Sequence, residues 1–174
     1  AGEKCLLEGW LRTRLSRSGV RPCIVRLANP YGPGQRSDVG QGIVAIALQA
    51  LRSGRALPLR GTGSAIRDFI HVDDVTEGLW QIVTMPNPPA LLNLGGGEGY
   101  RIDAILRRLE RLTGQRLRIR ELTEDHSEIR SSVLDIGLAR SALGFSPRIG
   151  IDQGLRRLVD AEWGVFDRIG HDSR

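Results

Sequence analysis

The sequence predicts an α/β fold with a largely parallel sheet, because short apolar segments alternate with amphipathic segments along most of its 174 residues. Glycine gives a second indication. The 22 glycines among 174 residues exceed the average glycine content of proteins, which is about 7%. Several of them directly follow apolar segments, where strands enter tight turns. The chain also shows no linker, internal repeat or low-complexity tract. We therefore expect residues 1–174 to form a single unit.

Periodicity and stop signals define the elements of the first half. Leucines four residues apart predict a helix over residues 6–16, and residues 23–28 (CIVRLA) are typical of a buried strand. The prolines and glycines of residues 29–35 (NPYGPGQ) suit neither helix nor strand, so a shaped loop is predicted there. A helix over residues 41–52 and a strand over residues 56–59 follow.

The second half continues the alternation. A strand over residues 68–72 is predicted to lead into a helix that ends near Met85, and Asp74 with Glu77 has the spacing of a capping box at its start. The remaining predicted elements are a strand over 91–94, a helix over 101–113, strands over 117–121 and 131–135, a short helix over 139–143 and a last helix from Asp152.

Composition excludes several classes of protein. No apolar run approaches the roughly 18 residues that a transmembrane helix requires, so we expect no membrane partner. Two cysteines, Cys5 and Cys23, are too few for a disulfide framework or a zinc site. A reducing, cytoplasmic location is therefore expected.

The formal net charge of +5 raises the question of a nucleic-acid partner. The basic residues are scattered along the chain. In their densest stretch, residues 101–120, the apolar residues keep a period of their own, which places the arginines on solvated faces. No aromatic residues interleave with them for base stacking. We expect no nucleic-acid partner and keep an arginine-rich nucleic-acid binder only as a third hypothesis.

The glycine-rich segment at residues 95–99 (GGGEG) departs from the dinucleotide fingerprint, because Tyr100 stands where the third glycine of that motif belongs. A structural turn, a pyrophosphate site and a loop bordering a ligand are the alternatives for this segment. His71, Asp73 and Asp74 have no second histidine at ligand spacing, so no metal site is predicted.

Arg67 lies just before an apolar strand and follows a flexible turn at residues 61–64. A guanidinium in such a position can point into a cleft, and its paired donors match the oxygens of a phosphate. The residues alone leave two interpretations open for Arg67, an ion pair and a contact with a ligand.

Three motifs follow one another at residues 26–35 (RLANPYGPGQ), 61–75 (GTGSAIRDFIHVDDV) and 93–97 (NLGGG). Together they resemble the extended short-chain dehydrogenase/reductases, the family of NAD-dependent nucleotide-sugar epimerases and dehydratases to which UDP-glucose 4-epimerase belongs. The resemblance covers nearly the whole chain but only the C-terminal half of a family member. It implies the C-terminal part of a Rossmann-like parallel sheet together with the small substrate-binding lobe.

The resemblance implies two contacts with NAD. Lys4 matches the lysine of the family's Tyr-x-x-x-Lys motif, with Glu8 at the acidic position one helical turn later. Lys4 would form a hydrogen bond with the nicotinamide ribose, and its positive charge would lower the pKa of the catalytic tyrosine. That tyrosine would precede Ala1 and is not in this sequence. Pro30 would lie against the nicotinamide.

The resemblance also implies a substrate site. Asn29 would hydrogen-bond the sugar nucleotide, and Arg67 would hold the diphosphate. Residues 41–43, which begin with Gln41 and end with Ile43, would border the ligand. Many relatives carry a second phosphate-binding arginine where this chain has Asp125, with an acidic residue at the position of Glu128. Arg130 is the candidate to replace that arginine.

These observations lead to a first hypothesis, the substrate-binding half of an enzyme that transfers hydride at a sugar carbon through NAD. The chain is expected to be inactive alone, and to form a homo-oligomer or to pair with a missing N-terminal half. The alternative is a non-catalytic module that binds sugar nucleotides or serves assembly and does not bind NAD. Epimerase, 4,6-dehydratase and reductase activities stay open.

Overall fold

The computed structural model describes residues 2–15, 18–36, 42–123 and 129–170. Helices and strands alternate through most of these residues, as predicted. In chain order they are α1 (Gly2–Leu15), β1 (Ile24–Leu27), β2 (Asn29–Tyr31), α2 (Ile43–Ser53), β3 (Leu57–Arg60), β4 (Ile66–His71), α3 (Val72–Thr84), β5 (Leu91–Leu94), β6 (Gly99–Arg101), α4 (Ile102–Thr113), β7 (Ile119–Leu122), β8 (Ser131–Ser132), α5 (Gly137–Leu143) and α6 (Ile151–Gly170).

The strands of the described residues form three small sheets in which parallel pairing prevails. β1 pairs with β5, and β3 pairs with β7, both in parallel. β4 is the centre of the third sheet, with β2 and β8 parallel to it and β6 antiparallel to it. The α/β fold class is thereby confirmed. No helix in the described part of the chain is long and apolar enough to cross a membrane.

Two strands pair with the same edge of β4 and leave one residue of that strand between them. β2 runs beside residues 69–71 of β4, and β8 runs beside residues 66–67 of the same strand. β6 occupies the other side of β4. β2 and β8 therefore follow one another along one edge of β4, and Asp68 lies at the junction between them.

Two hydrophobic clusters lie on either side of β4. Successive strand residues point to opposite faces, and accordingly Phe69 packs into one cluster and Ile70 into the other. The first cluster joins α2, α4 and α6 to β3, and the second joins α3 and α5 to β5. Their most deeply buried members include Val44, Leu57, Ile105, Leu109 and Leu155 in the first and Leu92, Leu94 and Phe145 in the second.

Helix boundaries agree with the predicted ones to within a few residues, but the expectation for residues 29–35 was partly wrong. Asn29–Tyr31 forms strand β2 instead of a loop. Pro30 is tolerated there because β2 lies at the edge of its sheet, where a missing N–H group breaks no ladder. The predicted strand at 131–135 is shorter, with only Ser131 and Ser132 paired.

The predicted capping box of α3 was also wrong. His71 is the N-cap, and its Nδ1 accepts a hydrogen bond of 3.2 Å from the backbone N–H of Asp73. Asp74 instead turns into the protein, where its carboxylate accepts hydrogen bonds of 3.0 Å from the N–H groups of Arg148 and Ile149. A residue at a capping position thus joins α3 to the segment that precedes α6.

Candidate functional site

A cleft of about 310 Å³ opens where β2 and β8 meet beside β4. Its walls come from the carboxyl end of β1, from β4 and from the segment around β8. Ligands of parallel α/β sheets commonly bind at the carboxyl ends of strands, where the polypeptide leaves the sheet. The residues that line the cleft are Leu27, Ala28, Asn29, Arg67, Asp68, Ile129, Ser132 and Leu134.

Asp68 is buried at the junction, with 1% of its surface exposed. Its carboxylate accepts hydrogen bonds from the N–H groups of Gly96 (2.8 Å), Gly97 (3.3 Å) and Leu134 (3.3 Å). Burial raises the pKa of this carboxyl group, while the three N–H donors oppose the rise by stabilising the ionised form. One side chain therefore joins β4, the turn after β5 and the segment after β8.

Asn29 lies at the mouth of the cleft in a fixed orientation. It begins β2, opposite Phe69 of β4, and its Nδ2 donates a hydrogen bond of 2.7 Å to the backbone carbonyl oxygen of Asp68. This bond sets the plane of the side-chain amide. An amide held in this way presents its remaining donor and its acceptor in a defined direction.

Arg67 forms another wall of the same cleft. It lies in β4 between Tyr100 of β6 and Ser132 of β8, and its Nη1 donates a hydrogen bond of 2.8 Å to the carbonyl oxygen of Ile66. The structure thus brings Asn29 and Arg67 together in one cleft, as expected of residues that bind one ligand. Their roles in binding stay predictions.

The other predicted substrate residues lie elsewhere or beside the cleft. Arg130 immediately precedes β8, and its carbonyl oxygen accepts a hydrogen bond from the N–H of Ile66. Its neighbour Ile129 lines the cleft. Ile43 begins α2 and packs against the first hydrophobic cluster, outside the lining of the cleft. Gln41 lies outside the described residues, as do Asp125 and Glu128.

The two residues expected to contact NAD are both exposed. Lys4 lies on α1, which contains no buried residue. That helix is connected to β1 by Glu8, which forms a two-pronged ion pair with Arg26 at 2.9 and 2.7 Å. Pro30 lies in β2, next to Asn29 of the cleft. The ion pair therefore links the helix of Lys4 to the strand that runs into the cleft.

The glycine-rich turn after β5 does not fit the pyrophosphate of a dinucleotide. The N–H groups of Gly96 and Gly97, which would have to bind that anion, already donate to Asp68. The turn also packs tightly on β4, because a Cβ atom added to Gly96 would lie 2.5 Å from the backbone carbonyl oxygen of Phe69. Of the alternatives for this segment, the structural turn agrees with the geometry.

The contribution of Asp68 was not predicted from the sequence. The residue follows Arg67 in the second motif and precedes two apolar residues of the same strand. A carboxylate in a buried strand needs hydrogen-bond partners, so its position was a usable signal. Its partners could not be predicted, because they come from two segments that are distant in the sequence. Among the described side chains, no group of three or more residues is placed to hold a metal ion.

Comparison with known proteins identifies the family of the chain. A family model described as NAD dependent epimerase/dehydratase family matches residues 3–95, more than half of the chain. The chain belongs to this family. The match includes α1, the first motif with Asn29, the second with Arg67 and Asp68, and β5.

Individual relatives lie within this family. The chain is 25% identical over 156 residues to dTDP-4-dehydro-6-deoxyglucose reductase of Escherichia coli, covering 90% of this chain and 49% of the relative. It is 29% identical over 143 residues to UDP-glucuronate 4-epimerase of Thermodesulfobacterium geofontis, covering 82% and 43%. This chain of the NAD dependent epimerase/dehydratase family thus spans about half the length of these curated relatives.

A solved structure shows the same fold. UDP-glucose 4-epimerase of Thermotoga maritima, crystallised with UDP-glucose, superposes with a TM-score of 0.82 at 26% identity. The superposition covers 91% of this chain and 51% of the epimerase. The similarity confirms a Rossmann-like α/β architecture for this member of the family.

Proposed function

We propose that this chain is the substrate-binding half of an NAD-dependent enzyme that transfers hydride at a carbon atom of a nucleotide sugar. The observation that carries the proposal is the cleft in which Asn29, Arg67 and Ser132 meet. Relatives named for dTDP- and UDP-sugars support the substrate class. Epimerase, dehydratase and reductase activities are alternatives for the whole enzyme.

The chemistry of the cleft suits a sugar diphosphate. The guanidinium of Arg67 supplies a permanent positive charge and paired donors for phosphate oxygens. The amide of Asn29 and the hydroxyl of Ser132 can form hydrogen bonds with hydroxyl groups of the sugar or the ribose. Leu27 and Leu134 give the walls apolar surface against which a sugar ring can pack. Arg130, beside the cleft, would add a second positive charge.

NAD would meet this chain only at its nicotinamide end. Asp68 already accepts the N–H groups of the glycine-rich turn after β5, so this turn cannot bind a pyrophosphate. The described residues therefore do not form a complete NAD site. Lys4 and Pro30 would contact the nicotinamide ribose and ring. For this reason we expect no turnover by the chain alone. Its free thiols, Cys5 and Cys23, support a reducing, cytoplasmic setting.

A substrate titration tests the proposal. Calorimetric titration of this chain with UDP-glucose, and separately with UDP-glucuronate, should show binding. Arg67→Gln should weaken it by about tenfold or more, because a charge-assisted hydrogen bond contributes roughly 1.5–3 kcal/mol. Arg101→Gln is the matched control, since it removes the same charge from the neighbouring strand β6, outside the lining of the cleft. If both variants lost affinity equally, the loss would come from the lower positive charge of the protein and not from a contact between Arg67 and the ligand.

A second function, a sugar-nucleotide-binding or assembly module without NAD, is favoured by the closed glycine-rich turn. NAD titration separates the two functions if it is repeated with any polypeptide encoded directly upstream of Ala1. The enzyme half should bind NAD when the two pieces are mixed. A module should bind UDP-glucose and ignore NAD in both experiments. A tyrosine codon directly before that of Ala1 would further favour the enzyme.

A further inference from the structure

Asp68 holds together the parts of the chain that form the cleft. Its carboxylate accepts N–H groups from the turn after β5 and from Leu134, and its backbone carbonyl oxygen accepts from Asn29. Two of these partners, Asn29 and Leu134, line the cleft themselves. β2 and β8 are both paired with β4, and beyond those ladders the Asp68 carboxylate fixes the segment after β8 against β4 through the N–H of Leu134.

The carboxylate of Asp68 is suited to this task and not to contact with a phosphate. Oδ1 accepts from Gly96, and Oδ2 accepts from Gly97 and Leu134. The N–H donors therefore stabilise the ionised carboxylate, and both of its oxygen atoms are already engaged. Replacement by a neutral side chain would leave buried N–H groups poorly paired, and the segments that carry them would move.

We propose that Asp68 is a positioning residue of the nucleotide-sugar site: its carboxylate holds Leu134, and with it the segment after β8, in place as one wall of the cleft. The inference rests on the proposed function. It predicts that Asp68 affects ligand affinity more than its contribution to folding alone would explain, because small displacements of binding groups weaken oriented contacts strongly.

Asp74 provides a matched control. It is also a buried aspartate, with 5% exposure, and its carboxylate also accepts two backbone N–H groups from a distant segment. Those donors, Arg148 and Ile149, lie before α6 and outside the lining of the cleft. Asp68→Asn and Asp74→Asn remove the same charge from similar surroundings, so both should lower the unfolding midpoint.

The experiment is calorimetric titration with UDP-glucose of the parent chain and of both variants, at a temperature where all are folded. Amide NMR spectra accompany it. We expect Asp68→Asn to bind about tenfold more weakly than the parent and to shift the amide signals of Gly96, Gly97 and Leu134, which bond the carboxylate, more than the signal of the Asn29 side chain, which bonds the backbone of residue 68. Asp74→Asn should bind within about twofold of the parent. If Asp68→Asn does not fold, Asp68→Glu, which keeps the charge and displaces the carboxylate, is measured by the same criterion.

The outcomes separate the inference from the proposed function. A parent chain that binds UDP-glucose, with Asp68→Asn and Asp74→Asn equally affected, overturns the positioning inference and leaves the proposed function intact. A parent chain that binds neither UDP-glucose nor UDP-glucuronate overturns the proposed function, and the inference with it. Selective weakening in Asp68→Asn supports both.

Discussion

At the scale of single residues, two buried aspartates connect segments that are distant in the sequence. Asp68 and Asp74 each accept backbone N–H groups from another part of the chain. A buried carboxylate is costly unless such donors surround it. Both therefore act as fixed connections between elements, and only Asp68 does so beside the cleft.

Gly154 gives a prediction at the same scale. It lies in α6 against Tyr31 and His71, and an added Cβ atom would contact the hydroxyl group of Tyr31 and lie 3.0 Å from Cδ2 of His71. Both rings are buried and have little room to move. We expect Gly154→Ala to lower the free energy of unfolding by about 1–3 kcal/mol, measured by urea denaturation.

The control for this substitution is Gly9→Ala. Gly9 is also helical, but an added Cβ atom meets nothing within 4 Å. Alanine has the higher helix propensity, so this variant should be unchanged or more stable by up to about 1 kcal/mol. Loss of the same amount of stability in both variants would show that close packing around Gly154 is not the cause.

At the scale of elements, α1 depends on an ion pair to an unusual degree. The helix has no buried residue, and Leu6, Leu7 and Trp10 are more than half exposed. The pair between Glu8 and Arg26 joins it to β1. Since helices are normally held by burial of an apolar face, a helix held in this way should be easy to detach.

We predict that Glu8→Gln increases hydrogen exchange throughout α1 and leaves exchange in α4 unchanged. Salt should have the same effect on the parent chain, because exposed ion pairs are screened. Glu3→Gln is the control, since it removes a carboxylate from the same helix without removing the partner of Arg26. The charge-reversed double variant Glu8→Arg with Arg26→Glu should restore protection. If Glu8→Gln and Glu3→Gln exchange alike, the ion pair does not hold the helix.

At the scale of the whole molecule, the surface around β1 is open. β1 pairs with β5 on one side only in the described residues, and α1 beside it exposes its apolar residues. Parallel sheets are normally covered on both faces and continued at their edges. This surface is therefore suited to a partner, either a second copy or a polypeptide that corresponds to the part of its relatives that this chain does not span.

We predict self-association of the isolated chain through this surface. Sedimentation velocity over a range of concentrations should show a dimer that Trp10→Arg, on α1, converts to a monomer. Trp80→Arg is the matched control, because Trp80 is similarly exposed, at 63%, but lies on a different helix, α3. A parent chain that stays monomeric, or a dimer abolished by Trp80→Arg instead, would contradict this assignment.

Local pattern and motif order were sufficient to predict most elements and the family. Periodic burial determines where α2 and α4 lie, and glycines in the left-handed conformation end both helices at residues 54 and 114. The motifs around Asn29 and Arg67 supplied the family, which the family match confirms. The prediction of one unit over residues 1–174 stays a prediction.

Only the tertiary structure decided the features that depend on pairing between distant segments. Strand β2 exists because Asn29–Tyr31 lies beside β4, although its own residues favour a loop. The glycine-rich turn is closed because Asp68 reaches its N–H groups. The sequence by itself determined the elements and the family, since helix period and motif spacing are local properties. The cleft depends on which segments meet, and hydrogen bonds over long sequence separations decide that.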